Sequence, residues 1–422
     1  MTAGWKRRAA GAAMALLLLA AVRENGGNAG QDAVRPGGDP APVRAFTMGP
    51  SSVQLPYADD YGPYQWALQN TGTLKLIPGS RPAFRPGSDG ADAAGTDGPD
   101  RESRESVRSV AGIDLNLIPA WEQYDAVSEK REVVVALIDT GVDAGHPDLA
   151  GSLWVNVDEI PGDGIDNDGN GYVDDVNGWN FYDGSGQIFT GASDTHGTHS
   201  AGTIAAAPNG SGTIGICDPA YVKIMVLKIL GGSQGVGTTE HVTEAIRYAQ
   251  ENGASICNLS FGTPQYSREL YEAIRDSGML FVVAVGNGNS EGQGYDIDET
   301  PVYPASFDLE NLISVASLQL DGTLDPASNF GGKSVDLAAP GSYILSTVPG
   351  GGYRYMSGTS MAAPMVTGAA ALLYSADPSL TGTEVRARLF SSAKRLDSLV
   401  GRVATGGMPD VSAALQLSQN GS

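Results

Sequence analysis

The chain of 422 residues is short of cysteine, histidine and positive charge. Two cysteines cannot build a disulfide framework, so Cys217 and Cys257 are read as buried thiols or as one bridge. Lys and Arg number 26 against 48 Asp and Glu, a net charge of −22, which excludes nucleic acid as the main partner because phosphate binding needs cations. Beyond residue 22 no run is long and apolar enough to cross a bilayer, which takes about 20 residues. Glycine is abundant, at 57, but lacks the three-residue period of collagen. No internal repeat is visible. With 41% hydrophobic residues the chain can bury a sizeable core, and wholesale disorder is excluded.

At the N-terminus Lys6, Arg7 and Arg8 precede an apolar run from Ala9 to Val22. The run is too short to span a membrane and reads as an export signal over 1–22, with an uncleaved anchor as the alternative. The expectation is a secreted protein, extracellular or periplasmic, and a monomer that leaves the membrane once the signal is removed. Residues 23–56, rich in Gly, Ala, Pro and Asp, read as a linker or short pro-region. The main domain then runs over 57–422, with a disordered-looking insertion at 78–112.

From Ile113 onward short β-branched apolar runs appear: Val133–Ile138, Val222–Leu230, Ser255–Leu259, Met279–Val285, Leu312–Leu318 and Val335–Ala338. They do not alternate, so they predict parallel strands buried on both faces. Between them lie helical patterns. Val242, Ala245, Ile246 and Ala249 repeat at helical spacing between Thr238/Thr239 and Gly253; Leu270, Ala273 and Ile274 do so before Gly278. Strand–helix alternation predicts an α/β fold with a mostly parallel central sheet and helices on both faces. In such sheets chemistry sits at the carboxyl ends of strands.

Asp139-Thr140-Gly141 ends the first of these runs. An Asx turn explains it equally well, and an aspartic protease would need a second carboxylate, for which only Asp276-Ser277-Gly278 offers itself, after a helix. His196-Gly197-Thr198-His199 opens a stretch of small residues; a histidine at a helix start can act as a general base, while two histidines alone lack the third ligand of a zinc site. His199 is expected to face the packing side. Gly358-Thr359-Ser360-Met361 leads into a small, apolar run that predicts a buried helix, with the Ser360 hydroxyl and N–H at its positive end. A serine becomes nucleophilic only with a base and an orienting carboxylate.

These three segments, in this order, resemble those around the Asp, His and Ser of the subtilisin-like serine proteases, the subtilases. The likeness runs over roughly 113–417, together with the Tyr64–Gly72 piece. It implies the three-layer subtilisin-like fold and a serine endopeptidase in which Ser360 attacks, His196 moves the proton and Asp139 holds the imidazole. Asn287, in Ala284-Val285-Gly286-Asn287, resembles the oxyanion asparagine of the family. Ser260, Phe261 and Gly262 resemble the strand edge that pairs with a peptide substrate, and Gly235, Val236 and Gly237 the opposite edge. Tyr303-Pro304-Ala305 resembles a turn beside the first specificity pocket, where a cis bond is expected. The alternative is a catalytically silent subtilase fold serving as a calcium-dependent binding or surface module.

Residues 158–175 hold seven acids and no Lys or Arg. Asp166-Asn167-Asp168-Gly169-Asn170-Gly171 follows the start of an EF-hand loop, without the bidentate glutamate at its end. Oxygen ligands around a glycine turn suit Ca²⁺, so Asp163, Asp166, Asp168, Asn170, Tyr172 and Asp174 are candidate ligands, with Asp175 completing the shell. The resemblance implies a second structural calcium site at Asp148 and the loop 207–213: the Asn209 side chain, carbonyls of Ala207, Ser211 and Thr213, and Gln65 or Gln69 as the N-terminal ligand.

Overall fold

The computed structural model describes residues 59–76, 107–231, 237–289 and 291–419, together with the backbone of the short strands Ala15–Leu16, Arg23–Glu24 and Ala45–Thr47. The expectations for 1–22 and 23–56 lie almost wholly outside the described residues, as do Gly235 and Val236; of the insertion expected at 78–112 only 107–112 is described, where Val107–Arg108 is a short strand and the Gly112 N–H donates to the Asn70 carbonyl at 2.8 Å.

Seven strands carry the fold: β1 (Val133–Asp139), β2 (Gly178–Asn180), β3 (Val222–Lys228), β4 (Ile256–Leu259), β5 (Leu280–Ala284), β6 (Leu312–Leu318) and β7 (Leu337–Pro340). They form one sheet in the order β7-β6-β5-β4-β1-β3-β2, every neighbouring pair parallel. Every residue of β4, β5 and β6 is buried, as their unbroken apolar runs require when both faces are covered. The central expectation therefore holds, with shifted ends: the second run stops at Lys228 and the last starts at Leu337. Strand β2 has no counterpart in the sequence reading, because an edge strand of Gly-Trp-Asn has no apolar run to betray it.

The helices are α1 (Leu117–Asp125), α2 (Thr195–Ala205), α3 (Thr239–Glu251), α4 (Arg268–Asp276), α5 (Thr359–Ala376), α6 (Gly382–Ser391) and α7 (Val411–Gln419). Thr238 caps α3, its hydroxyl accepting from the His241 N–H at 3.2 Å. Helix α5 is apolar all round and therefore lies in the core, across β4, β5, β6 and β7 and against α2. Its Gly368 lets Ile216 approach so closely that a Cβ would meet the Ile216 side chain at 2.8 Å. An antiparallel hairpin, β8 (Ile344–Val348) and β9 (Gly352–Ser357), lies beside α2 and runs into α5. Cys217 and Cys257 are both free and buried, so no bridge joins them. The Tyr303–Pro304 bond is cis. No helix among the described residues is long and apolar enough to cross a membrane.

Strand β1 has β3 on one side and β4 on the other, so the chain reverses its direction of travel across the sheet there. A crevice opens at the carboxyl ends of strands at such a switch point. Asp139 ends β1, Ser260 follows β4 and Asn287 follows β5.

Candidate active site

Asp139 and His196 meet at the tip of β1. The His196 Nδ1 lies 2.7 Å from Asp139 Oδ1 and 2.9 Å from Oδ2. Both residues are buried, and the Nε2 of His196 has no hydrogen-bond partner. A carboxylate on Nδ1 holds the proton on that nitrogen and leaves Nε2 as the acceptor. The tip packs directly on the first turn of α2. The Gly197 N–H donates to Thr140 Oγ1 at 3.0 Å, and a Cβ on Gly197 would come within 2.2 Å of the Gly141 carbonyl oxygen. Gly141 itself, at φ 115°, occupies backbone space that favours glycine.

Ser360 stands in the first turn of α5, fully buried. Its hydroxyl donates to the Ser260 carbonyl at 3.0 Å, and the Ser260 hydroxyl donates back to the Ser360 carbonyl at 3.3 Å. Pro364 explains the second bond: a proline in the helix has no N–H for the carbonyl four residues earlier, and the Ser260 hydroxyl takes that place. The Asn258 amide donates to the Ser260 hydroxyl at 2.9 Å while its Oδ1 accepts from Thr367 at 2.8 Å, so the end of β4 is locked onto α5.

Asn287 faces the same point. Its Oδ1 accepts the Thr359 N–H at 2.8 Å, which turns Nδ2 outward; Nδ2 is buried and has no partner. A Cβ on Gly358 would stand 2.9 Å from that Nδ2, and Gly358 has φ 146°, so glycine keeps the space open. A buried donor without an acceptor costs about 1–3 kcal/mol, which is tolerated where a ligand supplies the acceptor. The expected substrate edge runs on from the end of β4. Ser260, Phe261 and Gly262 follow β4, and Thr263 exchanges two 2.8 Å backbone bonds with Tyr303. On the opposite side Gly237 is described, packed against the Ile229 carbonyl; Gly235 and Val236 are not.

His199 faces inward as expected. Its Nε2 lies 3.0 Å from the Ile344 carbonyl and 3.2 Å from that of Arg354, both on the hairpin. Burial, outweighing these bonds, pushes its pKa down to about 3, so it is neutral and structural.

The acidic loop closes on itself. Asp166 and Asp174 accept loop amides, from Asn170 and Gly171 and from Gly162 and Gly164, and Asp163 accepts from Ile165 and Asn167. The carboxylates that converge are Glu159, Asp168 and Asp175, with ligand atoms within 4.8 Å of one another. Glu159 lies in the acidic window but outside the EF-hand-like core, so loop spacing could not single it out. Burial opposes ionisation of Asp168, but hydrogen bonds from Asn156 and Asn170 hold its carboxyl below the ordinary range. Asn170 bridges Asp168 and Asp175 through Nδ2, at 3.0 Å each, and the Tyr248 hydroxyl donates to Asp175 at 2.5 Å. Tyr172 packs edge-on against Trp179 and Tyr248.

The second cluster gathers around Asp148, which is fully buried. It accepts from Asn209 Nδ2 at 3.2 Å, the Tyr353 hydroxyl at 3.1 Å and the Thr213 N–H at 2.9 Å. The loop folds back so that Ala207 N–H donates to the Asp148 carbonyl at 2.7 Å and Ser211 N–H to Asn209 Oδ1 at 3.0 Å. The N-terminal member is Asp59. One of its oxygens accepts from the Asn209 and Gly210 N–H groups at 3.0 and 3.1 Å, and the other is buried without a partner. Burial, with Asp148 nearby, raises the pKa of Asp59 above the ordinary value. Gln65 is engaged elsewhere, in two 2.8 Å bonds with Ile214. The signal for Asp59 was present, an acid ahead of the Tyr64–Gly72 piece, but nothing local ties it to a loop 150 residues away.

Residues 130–409 match the model of the subtilase family. The chain is 35% identical over 291 residues to the major intracellular serine protease of Bacillus subtilis (strain 168), covering 67% of this chain and 82% of that one. It is 37% identical over 269 residues to an intracellular serine protease of Paenibacillus polymyxa, covering 62% and 72%. Among solved structures it is similar to fervidolysin from Fervidobacterium pennivorans, a keratinolytic enzyme related to subtilisin: TM-score 0.57, 29% identity, 71% of this chain and 45% of that one. Two of these relatives are named intracellular, which overturns the expectation of a secreted, extracellular or periplasmic protein. That expectation rests only on a basic-then-apolar stretch at 6–22, a compositional signal. With its family model, its relatives and its parallel sheet in agreement, the chain belongs to the subtilase family and is a serine endopeptidase.

Proposed function

We propose that this chain cleaves peptide bonds through Ser360, His196 and Asp139, by way of an acyl-enzyme. The observation that carries the reading is His196, clamped by both oxygens of Asp139 and with Nε2 buried and unpartnered. The Ser360 hydroxyl turns from the Ser260 carbonyl and gives its proton to Nε2 as Oγ attacks the scissile carbonyl carbon. Nucleophile–base contacts are often loose before substrate binds. The carbonyl oxygen becomes an oxyanion that accepts from Asn287 Nδ2 and the Ser360 N–H. Removing such an asparagine costs about 10²–10³ in kcat, a magnitude known from subtilisin, a member of the same family. Collapse breaks the C–N bond, and Nε2 returns its proton to the departing amine. Water then attacks the ester by the same route and restores Ser360. The peptide pairs in extended form with the edge at 260–262, and Gly237 belongs to the facing edge.

Both acidic clusters fit a hard divalent cation. The fit rests on oxygen-only donor sets, on the unpartnered Asp59 oxygen beside Asp148, and on the convergence of Glu159, Asp168 and Asp175. Bound Ca²⁺ would neutralise these carboxylates and stabilise the folded state by mass action. Asp59, Asp148 and Asn209 hold one ion with the carbonyls of Ala207, Ser211 and Thr213. Glu159, Asp168 and Asp175 hold the other, with Asn170 at its side.

The test is covalent. A fluorophosphonate probe should label Ser360, identified by peptide mapping, and the label should vanish in Ser360→Ala and fade in His196→Ala. A folded, calcium-loaded protein that takes no label would overturn the reading in favour of a silent binding fold.

A further inference from the structure

Asp139 and His196 come from different elements, and a buried ion pair lies between those elements. Lys228 is the last residue of β3 and the register partner of Asp139 in β1. Its side chain is 2% exposed and that of Asp194 not at all. The Lys228 ammonium donates to Asp194 Oδ1 at 2.6 Å, to the Leu230 carbonyl at 3.0 Å and to the Thr140 carbonyl, so all three of its protons are placed. Thr140 directly follows Asp139. Asp194 directly precedes α2 and stands two residues before His196. Its second oxygen accepts from the Thr190 N–H at 2.5 Å and the Thr190 hydroxyl at 3.0 Å. Gly141 leaves no slack: a Cβ there would stand 2.4 Å from the Ile188 carbonyl and 3.0 Å from Asp194 Cγ.

A buried ion pair is weak evidence for stability, because apolar residues of similar volume often serve as well. What this pair does is geometric. One ammonium holds the tip of β1, the end of β3 and the entry to α2 at a single point. We propose that Lys228 and Asp194 are positioning residues, which set the approach of His196 to both oxygens of Asp139. The inference rests on the assignment of Asp139 and His196 as the catalytic dyad. Among the described residues Asp139 bonds His196, the neutral His199 lies one turn along α2, and the Lys228–Asp194 pair stands at the end of β3 and the entry to α2.

The experiment compares Lys228→Met, Asp194→Asn and the double variant with the parent enzyme. The readouts are kcat and KM on a peptide substrate per fluorophosphonate-titrated site, the acid limb of the pH–kcat/KM profile, and thermal stability. Displacing a reacting group by about 1 Å costs on the order of 10²-fold. The expected result for the double variant, which leaves no charge unpaired, is a kcat lower by about 10–100-fold with KM within about twofold. Lys228→Met leaves the Asp194 charge uncompensated and should move the acid limb to higher pH, because an anion favours the protonated imidazole. Asp194→Asn keeps an oxygen for the ammonium and should retain more kcat than the double variant. The proposal fails if the double variant lowers only stability while kcat per titrated site and the acid limb stay at parent values. If the double variant does not fold, parent kcat together with an unmoved acid limb in Lys228→Met overturns it equally. Asp139→Asn is the control for the underlying assignment: full kcat there would sink the dyad itself, whereas a large loss there with none in the pair variants would sink only the positioning role.

Discussion

Asp139, His196, Ser360 and Asn287 each stand in a short glycine-flanked motif; Asp139 bonds His196, and Asn287 bonds the residue before Ser360. Asp59 and Lys228 have no such motif. Each is recognised only by what surrounds it after folding, an orphaned oxygen in one case and three filled donor positions in the other. His199 is a residue-scale case with a measurable sign. Its folded pKa, about 3, lies below the ordinary histidine value, so the neutral ring adds stability that is fully present above about pH 6.5. As pH falls from there toward 3 the unfolded chain gains a proton that the folded one refuses, at up to about 1.4 kcal/mol per pH unit. Replacement by Gln, which keeps an N–H for the Ile344 carbonyl, should flatten the difference in urea midpoint between pH 7 and pH 4. Equal slopes in parent and variant would show that the histidine is not held neutral.

At the scale of elements, long apolar runs were readable and short ones were not. Strands β1, β4, β5 and β6 announce themselves because burial on both faces demands unbroken apolar residues. Strand β2 and the β8–β9 hairpin do not, since an edge strand tolerates polar residues and the buried Ser346 and Thr347 break the apolar run of β8. Yet the hairpin matters to the site. Its Thr347 and Ser346 hydroxyls donate to the Thr198 and His199 carbonyls at 2.8 Å each, which presses α2 into place. The other side of α2 meets β1 without a spacer. Alanine in place of glycine inside a helix ordinarily stabilises by roughly 1 kcal/mol. At Gly197 the clash with the Gly141 carbonyl, at 2.2 Å, should win. Gly197→Ala is expected to lower stability by about 1–3 kcal/mol and to depress kcat as His196 is pushed off Asp139. Calorimetry and kinetics per titrated site check both; a stabilised, fully active variant would mean that the tip of β1 yields freely.

At the scale of the whole molecule, a net charge of −22 is concentrated in part in two carboxylate clusters, and charge of one sign works against compactness. Chelation should therefore lower the melting temperature. At a calcium concentration 100 times Kd the expected gain is about 2.7 kcal/mol per site. Asp59→Asn separates binding from burial. In chelator the variant should be at least as stable as the parent, because it no longer buries a carboxylate whose charge burial disfavours. In calcium the parent should be the more stable. A variant that keeps the full calcium response would remove Asp59 from the ligand set.

The central strands also bear on the life of the chain before it is complete. Asp139, His196, Asn287 and Ser360 are spread over more than half of the sequence and meet only when β4 and β5 have joined β1 and α5 has closed over them. Contacts so distant along the chain form late in folding. A ribosome-bound fragment that stops short of α5 lacks Ser360, the proposed nucleophile, and the helix that packs the sheet. On the proposed mechanism a growing copy cannot cut its neighbours until α5 has closed.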